Sequence, residues 1–505
     1  MPRALTSPAV RFTAYGLLAI LTACSPRNKS GPETASATIT DSAGATPEKG
    51  AIALTTSSDE ARQLYLQGRK LAEELRAHDG RKLFEQAAAK DPSFAMVHYQ
   101  LAINSATAKD FFQHMNQAVA LSDKASEGER LTILIGQAGA NAQPRKALEL
   151  SQELVSKYPD DERAHFLLGN SYFAQQEYEK AVGEYQKSIA INPEFSGAYN
   201  SLGYAYRPMK KYDEAEKAFK KYIELIPNDP NPYDSYAELL MKTGRFDESI
   251  AQYQKALSLD PHFSNSFIGI ANNMMLQGKH TEAAAQAQKL YTAARDDGDR
   301  RFSLFVRSVI FVDAGKTDAA LKEIEKEYAL DTKLADTANM SGDALLLGNI
   351  LLNAGRTDEA AKKFWQSLDL VEKSSLSDDV KQDTKLQAHY NDGRVALAKG
   401  DLAKAKTEAA AYASGAAARN NAFRVRQAHQ LAGSIALQEK DYDAAIAELT
   451  QANQQDPQVI YTLALAYKGK GDTAKAKELA VEAANANVLP LASYAFVRAK
   501  AKKIT

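Results

Sequence analysis

Apolar side chains in the middle of this chain recur three and four residues apart, the period of one helical face. Tyr199, Leu202 and Tyr206 make one stripe, and Ala215, Phe219 and Tyr222 make a second. Pro227 blocks continuation of the second helix, since its ring clashes with the preceding turn. The same cycle then starts again. Pro159, Pro193, Pro227 and Pro261 stand 34 residues apart, as do the couplets Glu177-Tyr178, Lys211-Tyr212, Arg245-Phe246 and Lys279-His280. Acidic or Asn residues just after the prolines, "PDDE" at 159–162 and "PND" at 227–229, suit the caps of the following helices. Gly203 predicts a close approach of the partner helix, and Ala215 the tightest crossing.

Outside this regular core the pattern loosens without changing type. Before it, residues 64–92 and 98–121 read as degenerate helix pairs. After it, turn signals recur at "DAGKTDAA", "NAGRTDEA", "AKGDLAKA", "QEKDYDAA" and "GKGDTAKA". The polar stretch from Glu372 to Asp383 reads as the most exposed loop. No β-branched alternation intrudes, so the body is expected to be all-helical.

Aligned without a gap, residues 165–193 and 199–227 both read His/Tyr-x-x-Leu-Gly-x-x-Tyr, then Tyr-x-x-Ala, an aromatic residue and Pro. This closely resembles the tetratricopeptide repeat. The resemblance implies an all-α fold, a right-handed superhelical solenoid of about twelve helix pairs, each stabilised by its neighbours. It divides the body into degenerate repeats at 58–127, regular ones at 128–297, and irregular ones with a C-terminal capping helix at 298–505. It also implies a concave, peptide-binding groove lined by first helices. In register, the inward positions are Arg163, Phe166, Asn170 and Phe173; Asn200, Tyr204 and Arg207; Asn231, Asp234, Glu238 and Met241; and Asn265, Ile268, Asn272 and Met275. Asparagine suits an extended peptide backbone, being both donor and acceptor, and aromatics with Arg dominate binding hot spots. The family's basic clamp for a C-terminal carboxylate is not matched: Phe166, Ser201, Asn231 and Ser235 stand at most of its positions.

The chain starts differently. Arg3 and Arg11 flank an apolar run from Phe12 to Leu21, half the roughly 20 residues a bilayer span needs, which is the anatomy of an export signal. The run ends at Cys24, the only cysteine of the 505 residues. Leu21-Thr22-Ala23-Cys24 resembles the lipobox of bacterial lipoproteins. That resemblance implies removal of residues 1–23, lipidation of Cys24, and a polar tether at 24–57 expected to be disordered from its Ser, Thr, Gly and Pro content. Ser25 after the cysteine implies the outer membrane, facing the periplasm.

Loss of Arg3 and Arg11 moves the formal charge from −1 to −3, and with 25% charged residues of balanced sign nucleic acid is not an expected partner. Catalytic signatures are lacking. "AGKT" at 314–317 ends like a phosphate loop, but Ile310 stands where that loop needs glycine. Eight histidines are scattered without ligand spacing, with His165, His262 and His280 at packing or turn positions. Trp365, the sole tryptophan, is expected in the core. No cofactor, metal site or enzymatic activity is expected. The function expected is a membrane-anchored scaffold in the bacterial cell envelope that binds a protein or peptide. The alternatives are a structural subunit of an exopolysaccharide or protein export complex and, least favoured, an enzyme with a site assembled across repeats.

Overall fold

The computed structural model describes residues 51–73, 77–105 and 107–504, so the export signal, Cys24 and most of the expected tether lie outside the described residues. Among the described residues every regular element is helical: twenty-five α-helices and one short 3-10 turn. They form twelve antiparallel pairs and a closing helix. The first six pairs are α1/α2 (Asp59–Glu73, Ala77–Lys90), α3/α4 (Ala95–Ile103, Ala108–Leu121), α5/α6 (Glu127–Ala140, Pro144–Lys157), α7/α8 (Glu162–Ala174, Tyr178–Ile191), α9/α10 (Ser196–Tyr206, Tyr212–Leu225) and α11/α12 (Pro230–Lys242, Phe246–Leu259). The next six are α13/α14 (Ser264–Leu276, His280–Ala293), α15/α16 (Asp297–Asp313, Thr317–Leu334), α17/α18 (Thr337–Asn353, Thr357–Glu372), α19/α20 (Asp378–Ala398, Leu402–Ala418), α21/α22 (Ala422–Gln438, Tyr442–Gln451) and α23/α24 (Pro457–Lys470, Thr473–Ala484). The closing helix α25 spans Ala492–Ala501.

Local chemistry explains the pairing. A Cβ built on Gly203 would lie 2.6 Å from the Phe219 ring, so only glycine lets α9 seat against α10. Ala215 is fully buried at that crossing. Asp161 caps α7 through the Arg163 and Ala164 amides, and Asp229 caps α11 just ahead of Pro230, as the residues after the prolines predict. The stretch 372–383 differs from its expected loop. Ser377 caps Val380, so Asp378 to Asp383 open α19 and only 373–377 remain as a connection.

Two arrangements extend beyond nearest neighbours. Residues 51–57, placed by composition in the tether, run extended along the junctions of the first hairpins. Ile52 N–H donates to Asp161 Oδ2 and Thr55 N–H to Glu129 Oε1, each at 3.0 Å, while Ser126 Oγ donates to Ala53 O at 2.8 Å. Further on, the second half of the array rests on the first. The Ala108 amide donates to Asp336 Oδ2 at 3.0 Å, and Gln143 Nε2 to Asp379 Oδ2 at 2.7 Å. Gln176 Nε2 donates to Asn453 Oδ1 at 3.0 Å, and Lys210 Nζ to Glu482 Oε1 at 2.8 Å. These contacts advance in step along both halves, joining the turns inside early hairpins to the region of the junctions between late ones. The array thus winds through one full turn and stacks on itself.

Candidate functional site

First helices carry the inner face, and its two ends differ. On α7, Arg163 is half-buried, paired with Glu73 at 2.9 Å and lying over the Phe195 ring at 5.1 Å. Phe166 meets Phe195 edge-on at 5.1 Å, Asn170 accepts from Tyr185 Oη at 2.9 Å, and Phe173 packs on Tyr178 at 5.4 Å. Asn200 on α9 is likewise half-buried. This stretch stays partly open.

One helix further, the expected groove closes. Tyr204 is buried edge-on to Phe219 at 5.3 Å, and Arg207 lies over Tyr204 at 5.0 Å. The anion for Arg207 is Glu238, at 3.0 Å and almost wholly buried, whereas Asp234 accepts from Ser266 Oγ at 2.9 Å. Asn231 donates to the Tyr222 hydroxyl in the interior. Met241, Asn265, Ile268, Asn272 and Met275 are buried as well. The register therefore places these residues on first helices as expected, but their side chains do not line open solvent.

Over Met241, Ile268, Asn272 and Met275 the cover is a later part of the same chain, residues 486–501. Between α24 and α25 the backbone crosses the inner face without helix, bending at Asn487, whose φ is +42°. Lys242 Nζ donates to Ala486 O at 2.6 Å, and Asn272 Nδ2 donates to Val488 O at 2.9 Å. Two donors on neighbouring first helices thus hold the carbonyls on either side of Asn487. Burial pushes the Lys242 ammonium down to about 8, and the nearby Arg207 and Lys210 charges add to the effect. Helix α25 then docks on α15. Arg498 Nε meets Asp313 Oδ1 at 2.7 Å, and its two other nitrogens reach the Leu276 and Met275 carbonyls at 3.1 Å each. Ala486, Tyr494 and Ala495 join Met241, Ile268, Met275, Phe302 and Val306 in one apolar cluster. The expected capping helix is thus an internal strut, and "NVLPL" at 487–491, an apolar stretch too long for a repeat turn, was its available signal.

Other residues fall as follows. Trp365, expected in the core, is 65% exposed on α18, because Phe364 takes the buried position of that stripe beside Ala360, Ser367 and Val371. His165 is buried, with Nδ1 to Glu184 at 2.6 Å and Nε2 to the Pro159 carbonyl at 2.9 Å. His280 Nε2 contacts Asp313 at 2.7 Å. Gly315 of "AGKT" sits at φ +72° in the turn between α15 and α16. A buried group that periodicity did not reveal gathers Arg301 with Asp331 at 2.7 Å and Glu327 at 3.5 Å. Burial pushes Asp331 and neighbouring Asp343 upward, and it holds nearby Asp299 at about 7. Among the described residues no group of three or more His, Cys, Asp or Glu side chains is placed to hold a metal ion, and no helix is long and apolar enough to cross a membrane.

Paired helices stacked in series, with the inner face built from first helices, define a helical-repeat solenoid. Models described as TPR repeat or tetratricopeptide repeat match residues 169–209, 196–229, 230–263 and 427–459, so such repeats are present in both the regular and the irregular part. Among solved structures, a tetratricopeptide repeat protein of Parabacteroides merdae is similar at 17% identity and TM-score 0.35, over 57% of this chain and 99% of its own. A thermophilic repeat protein of Thermus thermophilus is similar at 21% identity and TM-score 0.29, over 43% and 99%. A chain of the APC/C hetero-tetramer is similar at 13% identity and TM-score 0.40, over 84% and 76%. No curated protein sequence matches.

Proposed function

We propose that this chain is a scaffold that holds a protein or peptide partner, tethered to a bacterial envelope membrane by lipid on Cys24. One observation carries the binding role. The inner face already grips a non-helical backbone through Lys242 and Asn272, so the chemistry suited to a peptide operates there on the chain's own residues 486–488. The stretch left partly open, around Arg163, Phe166, Asn170 and Asn200, offers a cation, an aromatic ring and two amides on adjoining first helices. The anchor rests on Leu21-Thr22-Ala23-Cys24, and Ser25 favours the outer membrane with the body facing the periplasm.

Capture from native membranes tests both parts. Arg163→Ala with Asn200→Ala is expected to weaken partner capture at least about tenfold, the mark of hot-spot residues. Lys187→Ala with Lys220→Ala, on exposed second-helix faces, is expected to leave capture unchanged. Equal capture by both pairs moves the site elsewhere. Cys24→Ser is expected to abolish labelling by fatty acid, and persistent labelling would end the anchor assignment.

A further inference from the structure

The covered part of the inner face has the features of a second peptide site. Its floor is apolar, built from Met241, Ile268, Met275, Phe302 and Val306. Lys242 and Asn272 read the backbone at alternate carbonyls. At the far end Asp313 and two helix-terminal carbonyls form a socket for Arg498, engaging all three guanidinium nitrogens. Such a planar fork distinguishes arginine from lysine. We propose that Ala486–Ala501 is a displaceable resident of this site, and that the site takes a partner peptide of the same chemistry. That peptide has a non-helical apolar stretch followed by a helix carrying Tyr and Arg one turn apart. The proposal rests on the scaffold reading for its biological partner, whereas its test does not.

Displacement is geometrically simple. The link from Asn485 to Leu491 is not helical, and Asn487 in it holds a left-handed conformation at φ +42°. Asp313 is left with the His280 contact when Arg498 withdraws, so its carboxylate is not stranded. A resident in place lowers the apparent affinity for a competitor by the fraction of open molecules, which predicts weak binding to the closed chain and strong binding once the resident is loosened.

The probe is a fluorescent synthetic peptide of residues 485–504, added to full-length protein. Arg498→Ala is expected to bind it at least about tenfold more tightly than the unaltered chain does, following the population argument above. Adding Asn272→Ala to that variant should then weaken binding about tenfold, the size of one hydrogen bond to a buried backbone group. An Arg498→Ala variant of native helicity that does not bind would show the closing helix to be purely structural and overturn the proposal. Concentration-dependent dimerisation in place of peptide binding would also overturn it, in favour of exchange between copies. Should Arg498→Ala fail to fold, the unaltered chain supplies the test: excess peptide must accelerate hydrogen exchange at 486–501, and unchanged exchange refutes displacement. Peptide binding without the groove dependence of membrane capture would sink the open stretch as partner site and leave this one standing.

Discussion

At Gly203 one added carbon atom would press on a ring that has no space to yield, since Phe219 is fully buried. Gly203→Ala is therefore expected to cost about 1–3 kcal/mol by overpacking. Gly183, within α8, has nothing within 4 Å of an added Cβ, and Gly183→Ala should stabilise by roughly 0.5–1 kcal/mol through helix propensity. Hydrogen exchange of α8 to α10 checks both, and the same sign for both would refute the packing argument. Gly203 was legible in the sequence because the glycine and its aromatic partner recur with the repeat, as Gly169 and Tyr185. The turns inside the hairpins differ among themselves. Later hairpins turn on Gly244, Gly278 and Gly315, whereas Ala142, Gln176 and Lys210 adopt the same positive φ without being glycine. Non-glycine residues pay a steric cost there of about 1–2 kcal/mol. The Gln176 and Lys210 side chains are the ones that reach Asn453 and Glu482. At Gln176 and Lys210 the turn without glycine coincides with a long-range contact whose partner no local pattern could name.

Among elements, the helix caps show how one carboxylate serves two structures. Asp161 uses Oδ1 for the start of α7 and Oδ2 for Ile52, and Asp336 uses Oδ1 for α17 and Oδ2 for Ala108. Sequence predicts the first role and is silent on the second. Charge also differs between elements, with opposite consequences for pH. Asp299, Asp331 and Asp343, on α15 to α17, have folded pKa values raised by burial. From about pH 4 to 7 the folded form therefore keeps protons that the unfolded chain releases, and stability falls as pH rises. His98 and His114, on α3 and α4, stack at 6.0 Å, and burial lowers both. There the unfolded chain takes up protons first as pH falls below about 6.5, so stability falls with acidification. Between pH 7.5 and 5.5, protection factors corrected for intrinsic exchange should rise in α15 to α17 and fall in α3 and α4. Movement of both regions in one direction would contradict the burial argument. Helix pairs, their caps and the inward register were readable from spacing. The covering of Asn272 was not, because the periodicity of a first helix says nothing of a segment arriving from over 200 residues away.

For the whole molecule, a repeat array coupled only to its nearest neighbours would confine damage to the altered hairpin. The stacked turns change that expectation. Asp336→Ala removes the α17 cap together with the bond to Ala108, and it should loosen α4, more than 200 residues earlier. Asp401→Ala removes a comparable cap from α20, at an exposed residue, and should act only locally. Exchange at the Ala108 amide separates the two, and equal protection in both variants would show that the contacts between turns carry no coupling. These contacts also have a mechanical meaning. An open superhelix behaves as a spring, able to shorten or lengthen as its pitch changes. A coil whose windings already touch is at its solid length: it resists compression, and it can lengthen only after Gln143, Gln176, Lys210 and Arg498 let go of their partners. Pulled from its ends, this molecule would hold a fixed span up to a threshold force and then yield in steps.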